Sequence, residues 1–157
     1  MRNHIPAARL DQLRRIPLFA GCSNTALAGI DRLVDDHHAA AGTVLTREGG
    51  VGLESFVIVS GTAAVTVRGQ QVAELGPGAV FGEMAVLQHD KRSATVTAVT
   101  PMHVLVVAPA NLSPLLLTEG VAGKVLRSMS ERLRAADEQL WAGLTVRPGG
   151  APVEIGV

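Results

Sequence analysis

One feature constrains this chain more than any other. From about residue 37 to residue 107, short runs rich in valine, isoleucine and threonine alternate with glycine turns. The runs fall at 43–46, 55–60, 62–67, 71–75, 79–81, 93–98 and 103–107. Gly49-Gly50, Gly52, Gly61, Gly69 and Gly76-Pro77-Gly78 punctuate them. β-Branched residues fit a pleated, half-buried surface, and glycine and proline supply the turn conformations between such runs. Many short strands at near-even spacing predict an antiparallel sandwich or barrel. The one helix-forming interruption lies inside residues 81–96.

Helical patterns flank this region. Residues 6–15 have helix composition with Leu10 and Leu13 on one side, and Pro17 bends the chain. Ser23-Asn24-Thr25 offers an N-cap, and Leu27, Ile30, Leu33 and Val34 follow at helical spacing. After Pro109, residues 110–118 predict a helix with a kink at Pro114, and Gly120 and Gly123 mark a break. Residues 124–144 then run without proline, with Glu131, Arg132, Arg134, Asp137 and Glu138 on polar faces. Leu126, Met129, Leu133, Ala136 and Leu140 recur at three- and four-residue steps. Such a stripe packs on its own domain or forms a two-helix dimer seam. The expected organisation is therefore α+β: a helical segment 1–36, a β-region 37–108, C-terminal helices 109–145, and a flexible tail 146–157 containing Pro148, Gly149, Gly150 and Pro152.

With 157 residues, 47% of them hydrophobic, the chain is long enough for one domain with a proper core. Its net charge of zero argues against a nucleic-acid or membrane surface, which needs a positive field. No stretch approaches the roughly 20 apolar residues of a membrane span. The first 13 residues lack a signal-peptide core. A single cysteine, Cys22, cannot form an internal disulfide, so a reducing, cytoplasmic compartment is expected.

The interruption at 81–96 reads F-G-E-M-A-V-L-Q-H-D-K-R-S-A-T-V. Physically it describes an anion pocket. Gly82 leads into a short helix-forming run, whose free N–H groups attract a phosphate. Arg92 can grip two oxygens at once. Glu83 would repel a phosphate, so it suits a donor beside one, such as a sugar hydroxyl. Phosphate plus hydroxyl points to a nucleotide-like ligand.

The stretch resembles the phosphate-binding cassette of the cyclic nucleotide-binding domain family: F-G-E, a small apolar helix, then R-S-A-T-V. The likeness extends to 13–19 (L-R-R-I-P-L-F), 41–49 (A-G-T-V-L-T-R-E-G), 56–61 (F-V-I-V-S-G) and 75–78 (L-G-P-G). It implies a β-roll or jelly roll with the cassette helix inserted, short N-terminal helices, and C-terminal helices acting as hinge and lid. It implies that Arg92 binds the cyclic phosphate and that Glu83 accepts from the ribose 2′-OH. Gly82, Met84, Ala85 and Ser93 would add backbone donors. The Ser93 hydroxyl serves a phosphate or a guanine amino group equally, so cAMP is expected over cGMP on the likeness to bacterial members alone. For the lid, Arg132, Arg134 or Trp141 could stack on a purine.

The resemblance implies a regulatory domain and not an enzyme, with no cofactor beyond its ligand. A protein effector, and a homodimer through the C-terminal helix, are the partners it suggests. Two rivals remain: a module that kept the fold and lost the ligand, and a metal-dependent β-roll enzyme. The latter wants two histidines two apart on a strand. His37 and His38 are adjacent and would point to opposite faces, and neither His89 nor His103 stands at ligand spacing, so no metal site is expected. The departure at 51–55, where the family often carries aspartates, and the lack of tyrosine bear on affinity and base choice.

Overall fold

A computed structural model describes residues 4–83 and 90–145, with side chains as far as residue 134. The expected cassette helix, His89 and the tail at 146–157 lie outside the described residues.

Helix α1 (Ala7–Arg14) is followed by a 3₁₀ turn at Pro17–Phe19, where Pro17 sets the bend. Helix α2 (Asn24–Asp31) is capped as its sequence predicts, the Ser23 hydroxyl accepting from the Ala26 N–H at 3.1 Å. Leu33 and Val34 do not continue that helix. Val34 instead begins strand β1 (Val34–Ala39), which was not expected as a strand. Its V-D-D-H-H-A composition is poor in strand formers. Six paired positions along β8, from Val34↔Val107 to Ala39↔Met102, override that local preference.

The remaining strands are β2 (Val44–Thr46), β3 (Ser55–Ser60), β4 (Ala63–Val67), β5 (Gln70–Leu75), β6 (Val80–Phe81), β7 (Thr95–Ala98) and β8 (Met102–Val107). They form two four-stranded antiparallel sheets, β1-β8-β3-β6 and β2-β7-β4-β5. This is the jelly-roll-like α+β architecture anticipated above. Arg68 and Gly69, both at positive φ (53° and 77°), make the two-residue turn between β4 and β5.

The described residues form two apolar clusters. Phe56, Ile58, Phe81, Val96 and Val104 pack inside the roll, between the sheets. Val57, Leu105 and Val107 project from the opposite face of the first sheet and meet Leu13, Phe19, Leu27 and Ile30. The first sheet is thus covered on both faces, which is why β3 and β8 read as unbroken apolar runs. Strand β7 has one covered face, and its T-V-T-A alternates, with Val96 and Ala98 buried.

Helix α3 (Pro109–Leu116) contains Pro114, and α4 runs from Val121 to Thr145. Gly120, at φ +79°, takes the break alone, whereas Gly123 lies within α4. The face of α4 that meets the roll carries Val121 and Val125, both buried, with Met129 beside them. The expected stripe is split: Leu126 and Leu133 are 63% and 72% exposed. Ala136 and Leu140 lie beyond the described side chains.

Candidate functional site

Arg92, within the cassette, is held by its backbone and its side chain alike. Its backbone is fixed first: Gly49 N–H donates to the Arg92 carbonyl at 2.8 Å, and Arg92 N–H donates to the Gly50 carbonyl at 3.0 Å. Its guanidinium then donates from Nη1 to the Gly82 carbonyl at 2.9 Å and from Nη2 to the Glu54 carbonyl at 2.7 Å. It lies 6.0 Å from the centroid of the Phe56 ring, which stacks on Phe81 at 4.8 Å. The residue is 8% exposed. Burial lowers its pKa, opposed by the carboxylates of Glu54 and Glu83, and arginine remains cationic.

Glycines make this seat. Gly82 sits at φ +83°, and a Cβ there would lie 2.7 Å from Arg92 Nη1 and 2.8 Å from the Glu54 carbonyl oxygen. A Cβ on Gly52 would come within 2.7 Å of Arg92 Nε. The dense glycines at 49–52 read as turn residues in the sequence. Their other use, admitting an arginine against bare backbone, is the signal that sequence reasoning missed, together with the Glu54 carbonyl.

Glu83 follows directly and is 1% exposed. Its Oε1 accepts from Nη2 of Arg132 on α4, a part-buried ion pair spanning 49 residues. Among the described residues, three buried side-chain atoms here have no hydrogen-bond partner: Glu83 Oε2, Arg132 Nε and Ser55 Oγ.

Gly82, Glu83, Arg92 and Ser93 all border one cavity of about 930 Å³, within the range of small-molecule sites. Val65 and Leu75 of the second sheet give it an apolar wall, and Lys124, Arg127 and Arg132 of α4 close it from the other side. Ser93 is exposed. Of the three candidate lid residues, Arg132 reaches the cavity. It does so through the Glu83 carboxylate, and α4 brings Lys124 and Arg127 with it. Arg134 is exposed and does not line the cavity. The side chain of Trp141, and residues Met84 and Ala85, lie outside what is described.

Elsewhere, His103 Nε2 meets Asp36 Oδ1 at 2.6 Å, stacks on His38 at 4.3 Å, and shares Asp36 with Arg9. Among the described residues no group of three or more His, Cys, Asp or Glu could hold a metal ion. Among the same residues no helix is long and apolar enough to cross a membrane.

A two-sheet roll with a cavity of this size, bordered by fixed charges, is the architecture of a small-molecule-binding domain. The family model for the cyclic nucleotide-binding domain matches residues 36–119, more than half of the chain. The chain belongs to the cyclic nucleotide-binding domain family. A cyclic nucleotide-gated potassium channel of Rhizobium etli is 42% identical over 90 residues, covering 57% of this chain and 25% of the channel. A second such channel, from Mesorhizobium japonicum, is 34% identical over 121 residues, covering 77% of this chain and 34% of the channel. The structure of a cAMP-binding acyltransferase from Mycobacterium smegmatis superposes with a TM-score of 0.72 at 28% identity, over 82% of this chain and 41% of that one. The chain therefore spans about a third or less of the length of those channels.

Proposed function

We propose that this domain is a cyclic nucleotide sensor, with cAMP as its ligand, in which occupancy of the cavity is linked to the position of α4. The observation that carries the reading is the Glu83–Arg132 ion pair. It joins the cassette to the terminal helix at the wall of the cavity that Arg92 also borders. Arg92 supplies fixed positive charge for the cyclic phosphate. A carboxylate offers about four acceptor sites, so Glu83 can hold Arg132 and accept a ribose 2′-OH together. A deoxyribose ligand would leave that buried acceptor unpaired. The similarity to a structure described as cAMP-binding supports the choice of base.

In this reading the domain catalyses nothing and works in the cytoplasm. Ligand binding stabilises the arrangement in which α4 is tied to the cassette, and the shift is limited by the ligand's differential affinity. Leu126 and Leu133, exposed one heptad apart on α4, present the signal to a protein partner: a second copy of the chain or an effector such as a channel segment.

Isothermal titration tests the proposal, using protein unfolded and refolded to strip carried ligand. Micromolar or tighter binding of cAMP, weaker binding of cGMP and none of AMP is the expected result. Binding of neither cyclic nucleotide would overturn the sensor reading and leave an interaction module of the same family.

A further inference from the structure

Ser55 opens β3 opposite Val107 of β8 and is completely buried. A hydroxyl in such a place requires a hydrogen-bond partner, yet Ser55 Oγ has none, and neither does Oε2 of Glu83. The two side chains border the same internal space of about 10 Å³. Every other described side chain on that boundary is apolar, including Leu18, Leu112, Leu116 and Val125. The space has room for one water at most. Among the described residues on this boundary, the Glu83 carboxylate is therefore the one side-chain acceptor for the Ser55 proton, and Ser55 the one side-chain donor for Oε2. Ser55 does not border the large cavity.

We propose that Ser55 is a positioning residue for Glu83. Its Oγ–H donates to Oε2 across a single water in the space between them, while Arg132 holds Oε1. With one donor on each oxygen, the carboxylate plane is fixed, and each oxygen keeps an acceptor site for a ligand hydroxyl. A buried residue that never touches the ligand thereby sets how strictly the site demands a ribose 2′-OH. This deepens the assignment of Glu83 as the ribose acceptor and rests on it.

The experiment compares affinities for cAMP and 2′-deoxy-cAMP in the parent, Ser55→Ala and Ser55→Cys. The parent's preference for the ribose should fall roughly fivefold in Ser55→Ala, the equivalent of one ordinary hydrogen bond of about 1 kcal/mol. Ser55→Cys keeps the size with a poor donor and should follow alanine. A purely structural role would weaken both ligands alike, and an unchanged preference overturns the proposal. A second arm needs no ligand: melting temperatures of Ser55→Ala, Glu83→Met and the double variant. Coupled shifts support the Ser55–Glu83 bond, and additive shifts refute it. If the parent binds no cyclic nucleotide, the sensor reading fails, and this thermal cycle alone decides the pair.

Discussion

Replacing Arg132 by alanine probes the link between helix and cassette most directly. The side chain of Glu83 is 2% exposed and that of Arg132 32%. Breaking a fully buried pair costs about 3–5 kcal/mol, because a charge is left behind without a partner. A surface pair is worth about 0–1 kcal/mol. With one partner buried and the other a third exposed, the cost falls between, at about 1–3 kcal/mol. A chain of this length loses about 2–4 °C of Tm per kcal/mol, so Arg132→Ala should melt roughly 2–12 °C lower. If α4 and ligand support one another through Glu83, cAMP should also bind about 5- to 30-fold more weakly, a coupling of about 1–2 kcal/mol. Scanning fluorimetry and titration calorimetry read the two effects, with exposed Arg134→Ala as the control that changes neither. Parent-like melting and binding in Arg132→Ala would refute the ion-pair argument. Tighter binding would refute the cooperative reading, because it would mean that Arg132 competes with the ligand.

Arg92→Ala should weaken cAMP binding by about 2–5 kcal/mol, at least roughly 30-fold by calorimetry, since a charge-assisted phosphate contact is lost. Gly82→Ala places a Cβ against the Arg92 guanidinium at a positive φ, so it should lower the Tm and weaken binding together, whereas an unchanged affinity would mean that Arg92 need not sit where it does. Burial pushes the Asp36 pKa up, but hydrogen bonds from Arg9 and His103 outweigh it and hold the pKa below its ordinary value. The stability this gives is complete above the ordinary carboxylate range and disappears as pH falls through the depressed value. Asp36→Asn should therefore flatten the decline of Tm below about pH 4; an identical acid limb in parent and variant would remove Asp36 from the account.

The roll was legible because its strands carry their own chemistry. The apolar runs at 55–60 and 103–107, the alternation at 95–98 and the glycine turns all express local burial. Strand β1 was not legible, because its aspartates and histidines face outward or bond to Arg9 and His103, and only its partner β8 makes it a strand. At the site, Glu83 and Arg92 stood out by residue type and by family pattern. The carbonyls of Gly82 and Glu54, which orient Arg92, are carried by every residue and leave no mark in a sequence. Arg132 could be named as a lid candidate from its place on a long helix. That it would meet a carboxylate 49 positions away depends on how α4 lies on the roll. Arg134 had the same local credentials and points elsewhere.

The division of the apolar interior into two clusters has a mechanical consequence. The inner cluster makes the roll a block that can keep its shape. The outer one acts as a bearing on which both helical ends of the chain are mounted, since Leu13, Phe19 and Ile30 share it with Val121 and Val125. Polar stitches reinforce the mounting: Lys124 Nζ donates to the Ala20 carbonyl, and Cys22 Sγ meets the Glu119 carbonyl at 3.8 Å. If α4 is reseated on that bearing, α2 and the 3₁₀ turn must be reseated with it. A reporter group on the N-terminal helices would then register the same event as one on α4.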